Sequence, residues 1–178
     1  EDWGLYLEKL CKEMGQYQVP YRDFAVEYRP HDMYVGNILT MLTLLDSGVT
    51  TITDCSHNTR TRAHADAVFK SYADSGIRAV HAGAPCSTGV GEGDLPQDLV
   101  RLRDQYCFGA DSLTSVRMLI DMRRVMPAPD LFAFAREHGF GMTMDGVMGQ
   151  RCEEIVELGR AGHLGPDLTL IHCNAMPE

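Results

Sequence analysis

No stretch of this sequence approaches the roughly 18 consecutive apolar residues of a membrane-spanning helix, and Glu1–Gly15 is too polar for a secretory signal. Basic residues are few. Lys and Arg number 16 against 25 Asp and Glu, a net charge of −9, and no basic cluster exceeds the pair Arg123–Arg124. A protein that grips a phosphate backbone gathers its cations into a patch, so neither nucleic acid nor a membrane surface is an expected partner. The six cysteines (Cys11, Cys55, Cys86, Cys107, Cys152 and Cys173) never fall in CxxC spacing. They read as reduced thiols of a cytoplasmic protein and not as a disulfide framework. The chain opens on Glu1 and not on Met, which reads as a processed or truncated start.

The residues present are those of a globular chain. With 178 residues and 44% hydrophobic content, residues 1–178 suffice for a single α/β domain with a sizeable core. Its organising stretch is Ser47 to Pro85. Val49–Thr53 is rich in β-branched residues, as a buried strand is, and leads to Asp54. A polar loop, Ser56 to Arg62, precedes helical composition from Ala63 to Ala73, with Ala63, Ala67, Val68, Phe69 and Tyr72 available for one face. Gly76 stands where a helix end favours positive φ. Ile77–Ala82 is a second apolar strand carrying His81 near its end. Together these make a β–α–β unit.

The same alternation continues on both sides. Trp3–Gly15 has amphipathic helical spacing. Pro30-His31-Asp32 opens a long helix through Leu45 with Ile38, Met41, Leu42 and Leu45 as its apolar stripe. After Ala82, the Gly- and Pro-rich run GAPCSTGVGEGDLP has the length of a functional loop. Its TGVGEGD lacks the spacing of a dinucleotide fingerprint, and Glu92 and Asp94 repel phosphate, so a lid or solvent loop is expected. Leu95–Tyr106 follows as a helix, Ser115–Asp121 as a strand, Pro129–His138 as a helix, and Gly141–Met144 as a strand leading to Asp145. Arg151–Arg160 is a helix, and Leu168–Ile171 a strand ending in His172. Most of the ten methionines read as core filler.

Five strands thus end in Asp54, His81, Asp121, Asp145 and His172. One such residue is commonly a turn or cap residue. Five in succession suggest an active-site rim, since parallel α/β sheets place ligands at the carboxyl ends of their strands. About five βα units fall short of a complete TIM (β/α)8 barrel, which needs roughly 200 residues or more. The pattern therefore predicts a partial barrel or, alternatively, an open five-stranded doubly wound sheet.

The runs LDSGVTTITDCSHN and HADAVFKSYADSGIRAVHAG, with PDLFAFAREHGFGMTMDGVMG and LGRAGHLGPDLTLIHCN, resemble the metal-dependent amidohydrolase superfamily, in its branch of atrazine chlorohydrolase, cytosine deaminase and related aminohydrolases. The resemblance runs from about Pro30 to the end. It implies the central segment of a (β/α)8 barrel and hydrolysis of a C–N bond, by deamination or amide cleavage, in a small heterocyclic or amide substrate. A divalent metal, zinc or iron, would activate the water. His172 matches a histidine that orients substrate or the attacking water. Asp145 stands where the family has a histidine ligand, as a substitute metal residue or a catalytic carboxylate, and Met148 where many members carry a proton-shuttling Glu. The family's HxH pair and last Asp have no counterpart in this chain.

His57, His81 and Asp121 are the candidate substrate-binding residues; a loop histidine making a local hydrogen bond, or a structural role, is the competing expectation for each. His31, His64, His138 and His163 fall on helices or surface turns. Two rival readings keep the fold: a metal-independent acid–base enzyme built on Asp145 and His172, and a non-catalytic partner subunit. A partial barrel leaves two open edges and an uncovered sheet face, so association into a homo-oligomer or with missing barrel segments is expected.

Overall fold

The computed structural model describes residues 28–56, 58–83, 96–120, 128–146 and 152–173. Ten elements alternate along them: α1 (Pro30–Asp46), β1 (Thr51–Ser56), α2 (Arg62–Ser75), β2 (Arg78–Gly83), α3 (Gln97–Tyr106), β3 (Thr114–Ile120), α4 (Ala128–Glu137), β4 (Gly141–Asp145), α5 (Cys152–Arg160) and β5 (Leu168–Ile171). The helix expected at Trp3–Gly15, the loop TGVGEGD, and residues His57, Asp121 and Met148 lie outside the described residues.

All five strands pair parallel in the order β1-β2-β3-β4-β5. A doubly wound sheet reverses its strand order at a switch point. This one never does, and successive right-handed crossovers in one direction place the connecting helices α2 to α5 on one face. The result is a curled half-barrel sheet backed by helices.

Helix ends set the strand limits. Pro30 occupies the first turn of α1, where its missing N–H costs nothing, and the Asp32 carboxylate accepts the Arg29 backbone N–H at 2.9 Å. At the other end Val49 N–H donates to Leu44 O at 2.9 Å. That bond ties Val49 to the helix, so β1 begins at Thr51 and not at Val49. It also runs past Asp54, because β2 offers pairing partners as far as Ser56↔Gly83. Gly76 ends α2 at φ 70°, the left-handed conformation expected of it.

Side chains alternate across each strand. Ile52, Ala79, Val116, Met118, Met142 and Leu168 pack with Val68, Phe69, Tyr72, Leu99, Phe132 and Ile155 of the helices in one apolar core. The intervening residues face the concave side, where Cys55, Ala82 and Leu119 form a separate small cluster. Asp145 shares that concave face. The α1 stripe differs from expectation at Leu42, which is 51% exposed. The buried line runs through Met33 and Met41 instead, and one residue's step of about 100° turns Leu42 outward with Val35 and Leu39.

Candidate functional site

Asp145 is the last residue of β4 and the pairing partner of Ile171, the last of β5. Beyond them Gly146 N–H donates to Ile171 O at 2.8 Å, which holds the two strand ends together. A Cβ on residue 146 would lie 2.7 Å from Cys173 Sγ and 3.1 Å from His172 O, so only glycine permits this approach. His172 then turns with φ 54°, the one non-glycine residue at positive φ among those described. This left-handed step is sterically costly for a side chain bearing Cβ. It accompanies a ring whose Nδ1 stands 3.0 Å from Asp145 Oδ1.

The chemistry of the pair follows from its donors. An ionised carboxylate only accepts hydrogen bonds, so the proton between the two atoms belongs to Nδ1. In a neutral ring, Nε2 then carries the lone pair. The Asp145 side chain is 20% exposed and the imidazole 56%. The carboxylate is largely enclosed behind a ring that meets solvent, the arrangement of an oriented base. The structure thus brings together Asp145 and His172.

His81 and Asp54 belong to a different constellation. Both point to the helix-packed side of the sheet, where Tyr72 of α2 reaches them. The Tyr72 hydroxyl donates to Asp54 Oδ2 at 2.6 Å and, having one proton, accepts from His81 Nδ1–H at 3.0 Å. His81 is 1% exposed, with the Phe69 ring 4.8 Å from its own. Burial pushes the His81 imidazole pKa down against the opposing charges of Asp54 and Asp98. Burial, aided by Asp54, drives the Tyr72 phenol well above its usual range. His81 therefore lies across the sheet from Asp145, at the buried end of a hydrogen-bond chain whose other end, Asp54, is half-buried. Sequence reasoning placed Tyr72 on the apolar helix face and missed its hydroxyl; its period on α2, opposite two ionisable strand residues, was the available signal.

On the concave face, burial first, then the charges of Asp54 and Asp145, raise the Cys55 thiol. Curvature thus brings Asp145 within electrostatic reach of the far strand. Further down that face, Arg117 reaches Met142 O, Asp167 O and Thr169 Oγ1 at 2.5, 3.2 and 3.0 Å. Cys55, Cys107, Cys152 and Cys173 are free thiols.

A groove of about 310 Å3 lies between α1 and the carboxyl end of β1. Asp32, Gly36, Asn37, Asp54, Cys55 and Asn58 are among its walls. Asn58 was not singled out in the sequence, where it is one more polar residue of a loop.

The residues described do not assemble a metal site: no three His, Cys, Asp or Glu among them gather as ligands. Asp145 and His172 supply two groups where a bound zinc takes at least three from the protein. No protein-family model matches the chain, and no curated protein matches it.

Proposed function

We propose that this chain is part of a (β/α)8-barrel hydrolase of amidohydrolase type, acting on C–N bonds of small heterocyclic or amide substrates. The observation that carries this reading is the Asp145–His172 pair, hydrogen-bonded at 3.0 Å at the carboxyl ends of adjacent parallel strands. The sequential half-barrel sheet and the run GPDLTLIHCN, which resembles the amidohydrolase pattern, support it further.

Asp145 holds the imidazole by Nδ1 and leaves Nε2 to take a proton from water. The water oxygen adds to the electrophilic carbon of the substrate. The protonated ring, stabilised by the carboxylate, then returns the proton to the leaving nitrogen as the C–N bond breaks. Each turnover consumes one water, and the pair returns to its starting state. His172 is the catalytic residue and Asp145 its orienting partner. A metal-assisted form of the same hydrolysis would need at least one ligand besides Asp145 and His172.

The test is ammonia or amine release from a panel of amides, amidines and aminoheterocycles by the full-length protein. The reading requires turnover of at least one substrate, and its loss in both Asp145→Asn and His172→Gln with the fold retained by circular dichroism. Turnover untouched by either substitution overturns it, as does a full-length protein inert to the whole panel.

A further inference from the structure

The groove between α1 and β1 has features that packing alone does not account for. Gly36 lies mid-helix, where glycine is disfavoured relative to alanine. Its φ is not in the left-handed range, and a Cβ built there meets nothing within 4 Å. Neither backbone geometry nor close approach demands glycine. A side chain at this position would enter the groove, so glycine keeps that volume open.

The walls also hold polar atoms without protein partners. Asn58 is 7% exposed. Its Nδ2 faces Met33 Sδ at 3.8 Å, while its Oδ1 is buried with no hydrogen-bond partner. Asn37 Nδ2 is likewise buried and unpartnered. Buried amide groups left in this state are costly, and native proteins seldom tolerate them. Both amides belong to residues that line the groove, and each keeps one buried polar atom unpaired.

Charge narrows the class of occupant. Arg29 neutralises Asp32, with Nε to Oδ2 and Nη2 to Oδ1 both at 2.8 Å. Asp54 is different. Its Oδ2 accepts the Tyr72 hydroxyl, a neutral partner that fixes the carboxylate without cancelling its charge. Of the two acidic residues described on the wall, Asp54 is the one whose carboxylate no basic side chain bonds. About 310 Å3 matches the lower end of small-molecule sites.

We propose that this groove binds a small monocation of guanidinium or amidinium type that also carries one hydrogen-bond acceptor. The planar N–H groups meet the Asp54 carboxylate and Asn58 Oδ1, the acceptor meets Asn37 Nδ2, and Gly36 leaves room for the ligand's body. A guanidinium presents several N–H donors in one plane and suits a fixed carboxylate better than a compact ammonium. This site shares no residue with the Asp145–His172 pair and does not depend on hydrolysis at that pair.

Isothermal titration calorimetry of the full-length protein with N-(2-hydroxyethyl)guanidine tests it, with N-(2-hydroxyethyl)urea as the uncharged isostere. The guanidine binds saturably, and the urea at least tenfold more weakly. Asp54→Asn weakens the guanidine at least tenfold. Gly36→Met, which fills the groove with a good helix former, abolishes binding without lowering the melting temperature. No saturable binding of the guanidine overturns the proposal. So does equal affinity for the urea, or undiminished binding in a folded Gly36→Met protein.

Discussion

Nδ1 of His172 lies 3.0 Å from Oδ1 of Asp145, although 27 residues separate them in sequence. The pairing of β4 with β5 creates this contact, since the partner of Asp145 in the ladder is Ile171. A carboxylate behind an imidazole sets the ring's tautomer as well as its direction. Asp145→Asn leaves the shape and offers an amide in place of the charge. C–N hydrolysis is expected to fall by about 10²- to 10⁴-fold, the span of a general acid–base contribution. The melting temperature should hardly move, because a pair this exposed contributes about 1 kcal/mol or less to stability. Steady-state kinetics alongside thermal unfolding separate the two effects.

Gly146 is the second point of control. A methyl group there meets Cys173 Sγ at 2.7 Å and two backbone oxygens at 3.1 and 3.3 Å, and backbone cannot yield as a flexible side chain does. Gly146→Ala is expected to cost about 1–3 kcal/mol, the usual penalty of overpacking, and to push the β5 end away from Asp145. Urea denaturation reads the first effect. The second appears as lost activity in conditions where the variant remains folded.

The left-handed φ of His172 predicts a difference between two truncations. Both His172→Ala and His172→Gly remove the imidazole. Only glycine adopts φ 54° without the Cβ penalty, so the glycine variant should be more stable than the alanine variant by about 1 kcal/mol. Neither should hydrolyse substrate. Equal unfolding midpoints would show that the loop relaxes once the ring is gone.

Acid should destabilise the protein through His81. Its folded pKa is lowered by burial from the ordinary value near 6.5. Above that value the ring is neutral whether the chain is folded or not, and the stability is fully present. Below it the unfolded chain takes up a proton that the folded core resists, so stability is lost as pH falls toward the folded pKa. One such proton contributes a slope of at most about 1.4 kcal/mol per pH unit. Melting temperatures from pH 7.5 down to 5 should fall more steeply for the natural protein than for His81→Gln.

Much of the scaffold was legible because its signals are local. Pro30 and Gly76 mark helix ends through their own backbone chemistry, and the strands around Thr53, Val80, Leu119 and Thr143 show in β-branched and apolar composition. Limits that depend on pairing were not legible. The β1 strand continues through Cys55 and Ser56 because β2 is beside it, and the polar run DCS carries no sign of that. Leu42 was equally ambiguous, since an apolar residue one step off the buried line looks the same in sequence as one on it.

Sequence by itself determined the alternation of strands and helices and the arrival of ionisable residues near the strand ends, because both depend on residue type and short-range spacing. Tertiary structure decided which of those residues meet. Asp54 and Asp145 both stand at or near a strand end, yet side chains alternate across a strand, and a shift of one position chooses the face. That parity, set by how each strand registers against its neighbour, sends Asp54 and His81 to Tyr72 beneath the helices and Asp145 to the concave face beside His172. Only the assembled sheet fixes it.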